Sequence, residues 1–151
     1  MASELDRRLL AAGALFGVGL TIAGAAGSHM LYLPLTSKEL NDGQVLLEHS
    51  EKIATWNTAM IFGWAHTLAS LWTAGGAPSI SRRFRPAGWL FLTGVALFSG
   101  GIISRAILGE NFPALTRLSS LTPFGGAAFI AGWLVLLVEG IRPARPPQPR
   151  A

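Results

Sequence analysis

The chain has 151 residues, half of them hydrophobic and only 13% charged, where an ordinary soluble domain carries roughly a quarter. Together with 18 glycines and a mean hydropathy of +0.44, this excludes a disordered chain and points to a membrane protein. The absence of cysteine excludes disulfides, zinc–cysteine sites, iron–sulfur clusters and cysteine nucleophiles, and the net charge of +4 fits orientation in a bilayer better than nucleic-acid binding.

A bilayer core needs about 20 consecutive apolar residues per helix, and four stretches qualify. The first predicted span covers about 9–31. Gly13, Gly17, Gly24 and Ser28 form a small-residue stripe along it, which lets a second helix approach closely. Arg7-Arg8, an apolar run and Ala23-Gly24-Ala25 also have the outline of a signal peptide. The run is long for one, and Glu4 and Asp6 are unusual before it, so an uncleaved span is expected.

The segment 32–54 starts like a helix at Leu35-Thr36-Ser37 and turns at Asp42-Gly43. Val45, Leu46, Leu47 and Ile53 then alternate with Glu48, His49, Glu51 and Lys52. This pattern predicts one short amphipathic helix lying on the outer surface and leading into the second span. The second span, about 55–74, has two unlike faces. Ala59, Phe62, Gly63, His66, Ser70 and Thr73 share one, expected inside the bundle. Ile61, Trp64, Leu68 and Trp72 share the other, expected to meet lipid or a partner protein.

Residues 75–87 read as a basic turn containing Arg82, Arg83 and Arg85. The third span covers about 88–108, with Gly94 and Gly100 as packing positions. A connection over 109–121 contains Glu110, Asn111, Pro113 and Arg117. The fourth span, about 122–141, carries Gly125, Ala128 and Gly132 on one stripe. The proline- and arginine-rich tail, 142–151, cannot continue the helix.

Four spans put both ends on one side with the 75–87 turn. That side holds eight cations, at positions 7, 8, 82, 83, 85, 142, 145 and 150. The other holds four, Lys38, Lys52, Arg105 and Arg117. The denser side is expected to be cytoplasmic.

His66 lies about eleven residues into its span, roughly 17 Å along the helix and so near the bilayer centre. Thr21 and Ser99 fall at similar depth. A mid-membrane ionisable group is a functional candidate, and its bland counterpart is a neutral histidine satisfied by Ser99, Thr21 or a backbone carbonyl. A haem pair of His29 and His66 is a poor fit, because the two lie at different depths. An outer metal site from His29, His49, Glu48, Glu51 or Glu110 has suitable donors but no ligand spacing. No cofactor, catalytic set, nucleic-acid partner or soluble substrate is therefore expected.

Several elements recur together: the 23–29 stretch ending in Gly27, Ser28 and His29; Trp56 ahead of His66-Thr67-Leu68-Ala69; Phe98-Ser99-Gly100; and Thr122-Pro123-Phe124-Gly125-Gly126 followed by Gly132-Trp133. In this order the chain resembles the family of small four-helix membrane proteins known as domain of unknown function 423, over about residues 9–140. Phe62-Gly63 stands where that family has Tyr-Gln, and Ala26 and Ser28 replace an aromatic residue and an alanine. The resemblance implies an all-α, four-transmembrane-helix antiparallel bundle and supplies no activity.

The expected molecule is a four-helix membrane domain over 1–141 with a cytoplasmic tail, in the bacterial inner membrane, contacting lipids and a membrane-protein partner. The expected role is a non-enzymatic accessory or assembly subunit. The rival is a small oligomeric transporter or channel built around His66.

Overall fold

Asp42 decides where the longest helix begins. Its carboxylate accepts the backbone N–H groups of Gln44 and Val45, at 3.0 and 3.3 Å, and so caps a helix start. No proline interrupts the chain from there to Gly75. The result in this computed structural model is one 33-residue helix, α3 (Gly43–Gly75), after α1 (Glu4–Met30) and a four-residue α2 (Ser37–Leu40). Thus 43–54 is the leading part of the second long helix. It is not a separate helix on the surface.

The short helix is α2, closed by a capping box in which the Thr36 side chain takes the Glu39 N–H and Glu39 accepts the Thr36 N–H. The Thr36 hydroxyl and N–H together hold the Glu39 carboxyl below its ordinary pKa.

The structure describes residues 4–31, 35–75, 78–108 and 117–143, and every regular element among them is helical. The chain continues through α4 (Pro78–Gly94), a π-helical turn at Val95–Ser99 and α5 (Gly100–Leu108). A 3-10 turn at Arg117–Leu121 then leads into α6 (Thr122–Ile141). The basic segment predicted as a turn is therefore helical from Pro78, and α4 runs through Pro86. Glu110, Asn111, Pro113 and the tail from residue 144 lie outside the described residues. Arg142, the residue before Pro143, is extended at ψ 134° and ends α6.

Three helical stretches are long and apolar enough to cross a bilayer: Asp6–Met30, Arg82–Ile107 and Ser119–Ile141. α3 is not among them, because its buried face carries His66, Thr67, Ser70 and Thr73.

Facing pairs give the helix directions. Going down α1, Gly27, Gly24, Gly17 and Gly13 meet Trp56, Met60, Trp64 and Leu71 of α3 in turn, so the two are antiparallel. Thr73 faces Gly88, and Ser99 faces Ala59, so α3 and the α4–α5 stretch are antiparallel. Phe98, Gly94 and Phe91 meet Gly125, Phe129 and Gly132, which makes α6 antiparallel to α4–α5.

The core is thin: Leu20, Ala87, Phe91, Val95 and Phe129 form its centre, and a second cluster holds Leu9, Ala74 and Leu92. Leu15, Ile22, Ile61, Ile130 and Leu137 instead project outward from three different helices. An apolar coat of this extent is foreign to a soluble monomer and fits a hydrocarbon solvent.

Candidate functional site

The α-helical repeat carries Phe62, His66, Ser70 and Thr73 onto one face of α3. That face meets α4 and α6, which contribute Phe91, Phe129 and Trp133. The His66 ring stacks on Phe129, with centroids 3.6 Å apart and planes inclined by 14°. Phe91 lies 5.4 Å away at a tilt, and Phe62 stacks at 5.8 Å. The imidazole is thus enclosed by aromatic rings and is only 6% exposed.

Both ring nitrogens are engaged. The Trp133 indole N–H donates to His66 Nε2 at 3.1 Å. Indole is a donor only, so Nε2 accepts. Nδ1 then carries the proton and donates to the Phe62 carbonyl oxygen at 2.8 Å. The geometry selects the neutral Nδ1–H tautomer.

Ser99 and Thr21 do not join this site. The Ser99 hydroxyl, fully buried, donates across to the Ala59 carbonyl at 2.8 Å and ties the π turn to α3. Thr21 is exposed and bonds back to Gly17 O in its own helix. The side chain that answers His66 is Trp133, which the sequence marks only as part of a motif. Next to the histidine, the buried hydroxyls of Thr67 and Ser70 have no hydrogen-bond partner.

Close approach at the seams accounts for eight of the 18 glycines. A Cβ on Gly125 would sit 2.8 Å from Phe98 Cβ, and one on Gly132 would overlap the Phe91 ring. Gly94 lies under the Phe129 ring, Gly13 under Leu71, and Gly24 near Met60. Gly17 is looser, 3.9 Å from the Trp64 ring, and Gly100 has no close neighbour on another helix. Gly27 is the tightest position on α1, since a Cβ there would fall within the buried Trp56 indole. Gly63 and Gly88 are crowded too, by Leu20 and by Thr73 with Leu9.

The outward face of α3 divides. Ile61, Leu68 and Trp72 are exposed, with Trp72 stacked on Phe84 of α4 at 5.8 Å. Trp64 is half-buried in the α1–α3 seam. His29 is exposed at the end of α1. Among the described residues no group of three His, Asp or Glu side chains is placed to hold a metal ion.

One ionic tie lies at the end of the bundle that holds the start of α1. Asp6 of α1 and Arg85 of α4 approach to 2.6 Å, with Arg85 Nε and Nη2 both donating to one carboxylate oxygen. Both side chains are largely buried, at 7% and 16% exposure. Their types were visible in sequence, as an acid in an odd place and a basic cluster, but their separation of 79 positions hid the pairing.

The chain is similar to known membrane proteins. A 33% identical UPF0382 membrane protein of Schizosaccharomyces pombe aligns with 82% of this chain and 91% of its own length. YwdK, a UPF0382 membrane protein of Bacillus subtilis, is 29% identical over 87% of this chain and 92% of its own. The UPF0382 inner membrane protein YgdD of Escherichia coli is 30% identical over 91% and 92%. No solved structure matches the chain. The family described as protein of unknown function DUF423 matches residues 23–126, spanning the whole aromatic surround of His66 except Phe129 and Trp133, and the chain is a member of that family of membrane proteins.

Proposed function

We propose that the chain is a non-enzymatic, four-span inner-membrane protein with both termini cytoplasmic, acting as an accessory or assembly subunit of a larger membrane complex. The crossing number is supported by helix direction. α1 and the α4–α5 stretch are both apolar enough to span, and they run parallel to each other, each being antiparallel to α3. Two parallel spans require the chain to return between them, and α3 supplies that return. Its polar face is turned inward, so its low hydropathy does not oppose a transmembrane position. The eight-to-four division of cations favours cytoplasmic ends, and the E. coli relative is an inner membrane protein.

The observation that carries the subunit role is what the buried polar groups do. Asp6–Arg85, Ser99–Ala59 and His66–Trp133 each tie one helix to another. None combines a nucleophile with a base. The transporter reading asks His66 to exchange protons, whereas both its nitrogens are occupied by fixed partners. The exposed Ile61, Leu68 and Trp72 surface offers an apolar face to a partner span.

The chain lacks cysteine, so introduced cysteines report topology directly. Asn41→Cys should react with an impermeant maleimide in intact cells, and Ser81→Cys only after permeabilisation. Extraction in mild detergent should give a species much larger than 16.0 kDa, which Trp72→Ala with Leu68→Ala dissociates. Labelling of both cysteines from outside overturns the topology, and a lone monomer with no companion protein overturns the subunit role.

A further inference from the structure

A cavity of about 1180 Å³ opens at the end of the bundle opposite the Asp6–Arg85 pair. It lies where the end of α1, residues 48–56 of α3, the α5 helix and the start of α6 come together. Its floor is apolar, made by the buried Trp56 with Phe98 and Ile102. Phe98 also packs on Phe62 and Phe129, so the floor is the outer wall of the aromatic surround of His66.

The mouth is charged, and both signs are present. Lys52 and Arg105 line it together with Glu48 and Glu51. Among the described residues none of the four makes an ion pair. Arg105 stands seven residues beyond Phe98, about 10 Å up the helix. Below the rim, the Thr122 hydroxyl is buried against the cavity wall with no hydrogen-bond partner.

These features describe a molecule with an apolar body, an anionic group for the cations, and an ammonium for the carboxylates. We propose that the cavity binds one aminophospholipid of the outer leaflet. The phosphate sits against Arg105 and Lys52, the ammonium faces Glu48 and Glu51, and an acyl chain lies over Trp56 and Ile102. Arginine is the stronger phosphate anchor, because its fork donates two parallel hydrogen bonds to neighbouring oxygens. Among the described residues the charges of the mouth balance, two against two, which selects a zwitterion with a primary amine over a purely anionic lipid. This site is independent of the accessory-subunit reading, and its assignment to the outer leaflet rests on the cytoplasmic termini proposed above.

The test is native mass spectrometry of the full chain from mixed micelles holding equal phosphatidylethanolamine, phosphatidylglycerol and phosphatidylcholine. The unmodified protein should retain phosphatidylethanolamine about tenfold over the other two, the ratio expected for one added charge-assisted contact. Arg105→Gln should lower retention of every phospholipid. The exposed pair Glu48→Gln with Glu51→Gln should abolish the preference for phosphatidylethanolamine while keeping phosphatidylglycerol bound, which a folding defect would not do. Ile130→Ala, on the lipid-facing side of α6, should leave the pattern unchanged. Soluble phosphoethanolamine should not compete; if it does, the cavity takes a free headgroup and the lipid assignment falls. Equal retention of the three lipids by the unmodified protein, or an unchanged preference in the double glutamine variant, overturns the proposal.

Discussion

The Trp133 indole is half exposed, yet its N–H is committed to His66 Nε2. Replacing it by phenylalanine keeps a ring beside Phe91 and removes only the donor. Trp133→Phe is expected to cost about 1 kcal/mol, the usual size of an interhelical hydrogen bond in a membrane protein. His66→Ala also removes the ring stacked on Phe129 and should cost about 2–4 kcal/mol. Reversible unfolding in mixed micelles measures both, and the double variant should lose less than the sum. His66 is legible in sequence because depth along a span can be counted from one helix. Trp133 is not, because its role depends on how α6 is rotated against α3, 67 positions earlier in the chain.

Adjacent glycines on one helix behave differently. A Cβ on Gly125 meets the backbone of Phe98, which cannot swing aside, while one on Gly126 meets nothing within 4 Å. Gly125→Ala should therefore separate α6 from the π turn and cost at least about 2 kcal/mol. Gly126→Ala should stay within about 0.5 kcal/mol of the unmodified protein, or gain slightly from the higher helix propensity of alanine. Thermal denaturation of the two purified variants, followed by circular dichroism, tests the contrast. Sequence spacing finds the stripe of Gly125 and Gly132, but it also selects Gly100, which contacts no neighbouring helix closely. It puts Gly63 on the inward face without marking it as a packing position and passes over Gly88; their crowding comes from Leu20 and from Thr73 with Leu9, in distant parts of the chain. Helical periodicity states which residues share a face and leaves open what meets that face. The unbroken length of α3 was hidden for a related reason: Asp42-Gly43 reads as a turn, and only the hydrogen bonds of Asp42 show it to be a cap.

Over the whole molecule, the Asp6–Arg85 pair joins the first helix to the third long one at a single end. Asp6→Ala leaves a largely buried guanidinium without its carboxylate and should cost about 3 kcal/mol. Exchanging the two residues, Asp6→Arg with Arg85→Asp, should recover part of that loss, read as the fraction of folded protein surviving a detergent challenge. The membrane class and three of the apolar stretches are plain from composition and hydropathy, because both are additive along the chain; the stretch 55–74 falls in α3, whose hydropathy is too low to mark a span. The ion pair is not additive, and Arg85 is counted in the sequence only as one more orienting cation.

The five-residue turn at Val95–Ser99 has the Gly100 N–H bonded to the Val95 carbonyl, one position further back than in an α-helix. One surplus residue is thus stored in mid-helix. A π turn winds more slowly per residue than an α-helix, so the widened turn absorbs the extra position locally and leaves the downstream face in phase. Drawing the turn in to α pitch with the extra residue still present would spin everything downstream by about 100°. Arg105 and Ile102 would then swing away from the opening they now border, while the aromatic rings upstream kept their places.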